Sequence, residues 1–143
     1  MKTSHALVTL AAIGVARLVQ AERQGRRALV LQATRMHQTF CKDTATVPEL
    51  REAWTAEDVP AEEYAKFVHA NRSLAFLSAE FWVGLLTPRT LRVQARAVME
   101  LPVLRTYWER FGSFREAEAE GRTDRRFNEI LDTEHRLATD KAA

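Results

Sequence analysis

Between Asp58 and Leu86 the apolar residues return at helical intervals, and this stretch limits the chain to few folds. Tyr64, Phe67, Val68, Ala75, Phe81, Trp82 and Leu85 form one stripe with the spacing of a helix rather than the alternation of a strand. Phe76 and Leu77 widen the stripe, so the helix meets neighbours on two sides. Its start is signposted by Asp58 as a cap, Pro60 in the first turn, and Glu62 and Glu63 at the positive end of the dipole. Thr87-Pro88 closes it. A helix over these residues is roughly 40 Å long at about 1.5 Å per residue, long enough to be the centre of a small domain.

The rest of the chain supplies partners of the same kind. With 143 residues, only 4 prolines and 5 glycines, it suits one helical domain with a real core. Thr46-Val47-Pro48-Glu49 has capping-box spacing ahead of a short helix from Pro48 to Trp54, and Trp54 and Leu50 are expected to lid the core. Thr87 caps a helix from Pro88 to about Leu101, with Leu91, Ala95, Val98 and Met99 inward. Pro102 opens another with Leu104, Tyr107, Trp108 and Phe111, which Gly112 ends or kinks and whose face Phe114 extends. Asp124 caps a last helix facing inward with Phe127, Ile130, Leu131 and Leu137. The expected fold is all-α, a single domain of five or six helices packed round the helix at about 58–86. Residues 139–143 are expected to fray.

The N-terminus does not fit inside such a globule. Ala6 to Val19 is apolar except for Thr9, Gly14 and Arg17, and the helical pattern continues through Leu29, Ala33, Met36, His37 and Phe40. A helix from Ser4 to Phe40 is about 55 Å long, against a radius of gyration near 14–15 Å for a compact domain of this length. Asp43 to Val47 is expected to be a loop. The first 20 residues, with Leu7, Leu10, Ala11, Ile13, Gly14 and Leu18, therefore form an extension outside the 21–138 domain. The apolar run is shorter than the roughly 20 residues of a spanning helix. It suits a surface covered by a second chain, a membrane contact, or the apolar core of a signal peptide, although no small-residue cleavage pattern follows it.

Charge narrows the partners. The net charge is +2, but residues 1–30 hold +4 of it, from Lys2, Arg17, Arg23, Arg26 and Arg27 against Glu22. A basic segment beside an apolar run points to a membrane surface through residues 1–27 more than to nucleic acid, for which there is no recognisable module. Arginines outnumber lysines 17 to 4, the coding bias of a GC-rich bacterial genome. The lone Cys41 excludes an internal disulfide and fits a reducing compartment.

No motif specifies a reaction. His37 and Cys41, four apart, face one side of a helix, but a zinc site needs further ligands and none has the spacing, so core packing is the first reading and no metal or cofactor is expected. Ser73 lies four residues from His69, yet a mid-helix serine more often bonds its own backbone than attacks a substrate. Arg89, Arg92 and Arg96 make a basic stripe that reads first as a solvated face and second as an anion site. Asn71 interrupts the central stripe. It either bonds a neighbouring helix and fixes register or contacts a ligand.

The order of features resembles a family of small helical proteins from Streptomyces-type actinobacteria, known only as a domain of unknown function. The features are the apolar segment running into a Gln/Arg-rich helix with His37, then Val47-Pro48-Glu49-Leu50, Asn71, Tyr107-Trp108 with Phe114, Phe127 and Asp132-Thr133-Glu134. The resemblance covers most of residues 20–137 and implies a fold without implying a reaction. Members of that family often carry a clearer N-terminal membrane helix than this chain, and an aromatic residue where it has His135.

The leading expectation is a non-catalytic interaction or regulatory protein, cytoplasmic or at the inner face of the membrane, forming a homo-oligomer through its N-terminal helix. The alternative is a small biosynthetic or ligand-binding enzyme. Its apolar pocket near His69, Asn71 and Trp82, closed by Trp54 and Trp108, would take a small apolar ligand.

Overall fold

The computed structural model describes residues 2–55 and 59–142. Its elements are α1 (Lys2–Thr46), α2 (Pro48–Trp54), α3 (Ala61–Trp82), α4 (Pro88–Met99), α5 (Pro102–Glu118) and α6 (Arg122–Ala142), with no strand among the described residues. The expected all-helical single domain with a long first helix is what the chain forms. Asp58, the expected cap, lies outside the described residues.

Helices α3 to α6 enclose the core. Phe67, Ala70, Leu74 and Leu77 of α3 meet Leu91, Ala95 and Met99 of α4, Leu104, Tyr107 and Trp108 of α5, and Phe127, Ile130 and Leu131 of α6. In α3 and α4 these positions recur at three or four residues, and in α5 and α6 a step of three is followed by an adjacent residue on the same face, which is why the inward phases are legible from the sequence. Thr87 caps α4 as expected: its hydroxyl accepts from the Thr90 backbone N–H, and Thr90 returns the bond to the Thr87 N–H. At the other end of α4, Arg105 donates to the carbonyls of Met99 and Glu100 at 2.8 and 2.9 Å, satisfying groups the helix leaves open. Asp124 accepts from the Gly121 N–H and closes the start of α6.

Three expectations need correction. The central helix ends at Trp82, not Leu86, because Gly84 takes φ of 83°. That left-handed turn lets the Leu85 N–H reach back to the Glu80 carbonyl, which leaves Leu85 exposed. The helix α5 continues through Gly112 and does not end there. Gly112 is there for space: a Cβ would stand 3.2 Å from the Trp108 indole nitrogen. The Asp43–Val47 loop is helix, since the Val47 N–H still bonds Asp43 and the hydroxyls of Thr44 and Thr46 turn back onto the Phe40 and Lys42 carbonyls. Thr46 is therefore not a cap. Val47, extended ahead of Pro48, makes no side-chain capping bond. Helix α6 runs to Ala142.

The 45-residue α1 is about 67 Å long at 1.5 Å per residue. Only its last third packs, along α3 and α2, where Cys41, Thr44 and Ala45 are buried. From Val8 to Leu29 every described side chain is exposed, Leu18 at 72%. No helix of the described residues is long and apolar enough to cross a membrane.

Trp108 is 4% exposed and holds α5 to its neighbours. Replacing it with Ala is expected to cost about 3–5 kcal/mol, read as a shift of the urea midpoint. An unchanged midpoint would mean that the indole carries no packing.

Candidate functional site

The polar groups inside the fold converge where α1, α3 and α5 meet. Asn71, midway along α3, is the hub. Its Oδ1 accepts from the Tyr107 hydroxyl at 2.9 Å and from an Arg115 amino group at 2.7 Å. Arginine can only donate, so this contact fixes which way the amide faces. The Asn71 Nδ2 is then the donor to Nε2 of His37 on α1, at 3.3 Å. Arg115 also lies over the Tyr107 ring, 5.9 Å from its centroid. The turn of α5 that carries Arg115 is pinned by Asn128 of α6, whose Nδ2 donates to the Arg115 carbonyl at 2.9 Å. One turn from the hub, Gln38 and Arg72 make a reciprocal pair: the Gln38 amide donates to the Arg72 carbonyl and the Arg72 guanidinium donates back.

Beside this cluster runs an open groove of about 530 Å³, lined among others by Ala33, His37, Ala75, Phe111, Phe114 and Arg115. Its walls mix Ala33, Ala75, Phe111 and Phe114 with the polar groups of Thr34, His37, Asn71, Arg115 and Glu118. Such a mixed lining suits a small molecule with both apolar and polar parts.

Five residues were expected to line a pocket together, and the structure disperses them. Asn71 borders the groove. Trp108 is in the core behind it. His69 is exposed on α3, where its carbonyl accepts from Ser73, the back-bonding expected of a mid-helix serine. Trp82 is exposed at the end of α3. Trp54, expected as a lid over the core, is 58% exposed and stands edge-on against Phe40 of α1, 5.3 Å between ring centroids. The partners Asn71 does have, His37, Tyr107 and Arg115, come from 34, 36 and 44 residues away in sequence.

His37 and Cys41 pair as their spacing implies, with Sγ 3.3 Å from Nε2. The pair is not a nucleophile. Burial pushes the Cys41 thiol above its ordinary range, outweighing the nearby Arg72 and the bond to Asn71. Burial, helped by Arg115, holds His37 below its usual 6.5. A thiolate–imidazolium couple needs both shifts reversed. Both groups stay neutral, and the 3%-exposed thiol has no approach for a substrate. Among the described residues no three His, Cys, Asp or Glu stand close enough to hold a metal. Of the arginine stripe, Arg96 has found its anion inside the chain, Glu134 of α6 at 3.1 Å. Glu134 is buried while Arg96 is largely exposed, so the pair closes the α4–α6 seam and leaves Arg89 and Arg92 on the surface.

One family model matches residues 2–143, nearly the whole chain, and its description is a family of unknown function, DUF6082. The chain belongs to that family. No curated protein and no solved structure matches it. Membership agrees with the expectation of a family of unknown function; the residues that carried the resemblance include His37, Asn71, Tyr107-Trp108 and Phe127. In this chain those residues are the hub, two of its partners and the adjoining core.

Two predictions follow the hub. Asn71→Ala leaves the Tyr107 hydroxyl, Arg115 and His37 without their shared partner, and is expected to cost about 1–3 kcal/mol in urea unfolding. The lowered pKa of His37 means that the unfolded chain takes up its proton first. Stability from this group is complete above 6.5 and is lost as pH falls below that value towards the depressed folded pKa. His37→Gln keeps an acceptor for Asn71 without a titrating group. Between pH 7.5 and 5.5 the melting temperature of the wild type should fall more than that of the variant. Parallel curves would show that His37 does not carry the dependence.

Proposed function

We propose that this is a non-catalytic interaction or regulatory protein that self-associates through α1. One observation supports the reading above the others: from Val8 to Arg26 every side chain of α1 is exposed, Val8, Leu10, Ile13, Val15, Leu18 and Val19 among them. Apolar surface of that extent on a soluble body marks a contact with something else. Cytoplasmic residence and an actinobacterial origin belong to the same reading, the latter supported by the arginine-rich composition. A membrane surface is the rival occupant, and the +4 charge of residues 1–30 is what favours it.

A second reading rests on the groove beside Asn71. An aromatic or alicyclic molecule with one polar group would lie on Ala75, Phe111 and Phe114 with that group towards His37 and Arg115. In this reading the protein binds a ligand, and the buried Cys41–His37 pair beside the groove is a packing element.

The test is the mass of the full chain by light scattering, beside a Val15→Glu, Leu18→Glu double variant. Both side chains are exposed, so the variant should keep the near-ultraviolet signal of the packed core. It is expected to be a monomer where the wild type is a multimer. A wild type that is monomeric at about 100 μM, a concentration at which even micromolar affinity fills the complex, defeats the proposal. Binding of that monomer to anionic vesicles would hand the surface to lipid.

A further inference from the structure

The exposed face of α1 has a period. Val8, Ala12, Val15, Val19, Glu22, Arg26, Leu29, Ala33, Met36 and Phe40 follow one another at alternating steps of four and three. That is the seven-residue repeat of a coiled-coil seam, held for five repeats over about 50 Å. Every one of the ten is exposed. The seam is apolar except at its centre, where Glu22 and Arg26 pair with each other at 3.2 Å, both side chains about two-thirds exposed. An exposed pair of this kind contributes little within its own helix.

We infer that the partner of this seam is the same seam of a second copy, running antiparallel about a two-fold axis at residue 24. The inference rests on the self-association reading and specifies its geometry. Two arrangements are open to identical helices. Side by side in parallel, each residue meets its own copy, so Glu22 faces Glu22 and Arg26 faces Arg26 in the middle of an apolar interface. Like charges so placed cost several kcal/mol. Antiparallel about residue 24, Glu22 of each chain faces Arg26 of the other, and two opposite-charge contacts replace two repulsions. The same register brings Val19 to Leu29, Val15 to Ala33, Ala12 to Met36 and Val8 to Phe40. Small residues thus meet larger ones at each layer, as close packing requires. Sliding one helix by a repeat sets Glu22 against Val19 and buries charge against apolar groups, so the charged pair also fixes the register.

The far end of the seam agrees. Beyond Phe40 the surface continues into Val47, Leu50 and Trp54, which are 37%, 41% and 58% exposed. In this register the first turns of the second copy arrive beside Phe40 and this patch. The exposed Trp54, which the domain itself does not cover, gains a neighbour.

The experiment uses the full chain. Glu22→Arg sets two arginines against two arginines at the two-fold axis and is expected to weaken the dimer on the order of a hundredfold, by sedimentation at matched concentrations. Glu22→Arg combined with Arg26→Glu restores the pairing and is expected to recover the dimer. Orientation is read separately by disulfide trapping with Val19→Cys and Leu29→Cys chains, Cys41 being buried. Mixed chains are expected to cross-link Val19→Cys to Leu29→Cys, and neither variant to itself. A dimer indifferent to Glu22→Arg, or one in which Val19→Cys traps itself, overturns the antiparallel register and leaves self-association standing. A monomeric wild type overturns both.

Discussion

The long helix is tied to the domain by hydrogen bonds and by close packing of small residues, with none of the large side chains of the core. Among the described residues the core is built from α3 to α6 and the segment leading into α3. What α1 buries is small or polar: Cys41, Thr44 and Ala45. Its grip on α3 comes from His37 on Asn71 and from the reciprocal Gln38–Arg72 pair. Such contacts are directional. They fix how α1 is rotated about its own axis and therefore which stripe of α1 faces outward. A greasy contact would tolerate rotation of the helix; an amide shared between His37, Tyr107 and Arg115 does not. The orientation of the seam is thus set by a residue that the seam never touches.

This also explains why so polar a junction is buried beside apolar neighbours. Asn71 serves three helices with one side chain, and each of its polar atoms is satisfied: Oδ1 by two donors, Nδ2 by the neutral His37 ring. A half-satisfied amide there would be worse than a leucine. The neutral states of His37 and Cys41 follow from the same enclosure. The His37–Cys41 pair, whose spacing suggests core packing first and metal binding second, is held in forms suited to packing and hydrogen bonding.

Much of the fold was legible because it is local. The Thr87 cap, the prolines at the starts of α4 and α5, and the inward phase of Leu104, Tyr107 and Trp108 each depend on residues within a turn or two. What was misread depends on competition or distance. Thr44 and Thr46 look like loop formers until their hydroxyls bond back within the helix. Gly112 looks like a breaker until the Trp108 indole is seen against it. The amide of Asn71 was expected to bond a neighbouring helix. Which helices it bonds cannot be read from spacing, since its partners lie 34 to 44 residues away. The seam of α1 is a different case. Its period is present in the sequence, but the stretch from Ala6 to Val19 is apolar on nearly every side and hides it. The period emerges at Leu29 to Phe40, once the structure shows which side of the helix is already occupied.

The projecting part of α1 also needs more than its own propensity to stay helical. It carries Val8, Ile13, Val15 and Val19, whose branched side chains lose rotamer freedom in a helix, and Gly14 and Gly25, each costing about 1 kcal/mol relative to alanine. Gly14 and Gly25 have open space around them, so nothing in the domain requires a glycine at either place. Among the described ion pairs its only support at helical spacing is Glu22 with Arg26, worth a few tenths of a kcal/mol. Helix can propagate outward from the packed end at Cys41 to Ala45, but each turn beyond Leu29 gains no burial within the chain. The helix and its apolar seam are therefore coupled. A partner covering the seam would supply the burial that the domain does not, and under the proposed self-association the ordering of residues 8–29 and association would be two sides of one equilibrium.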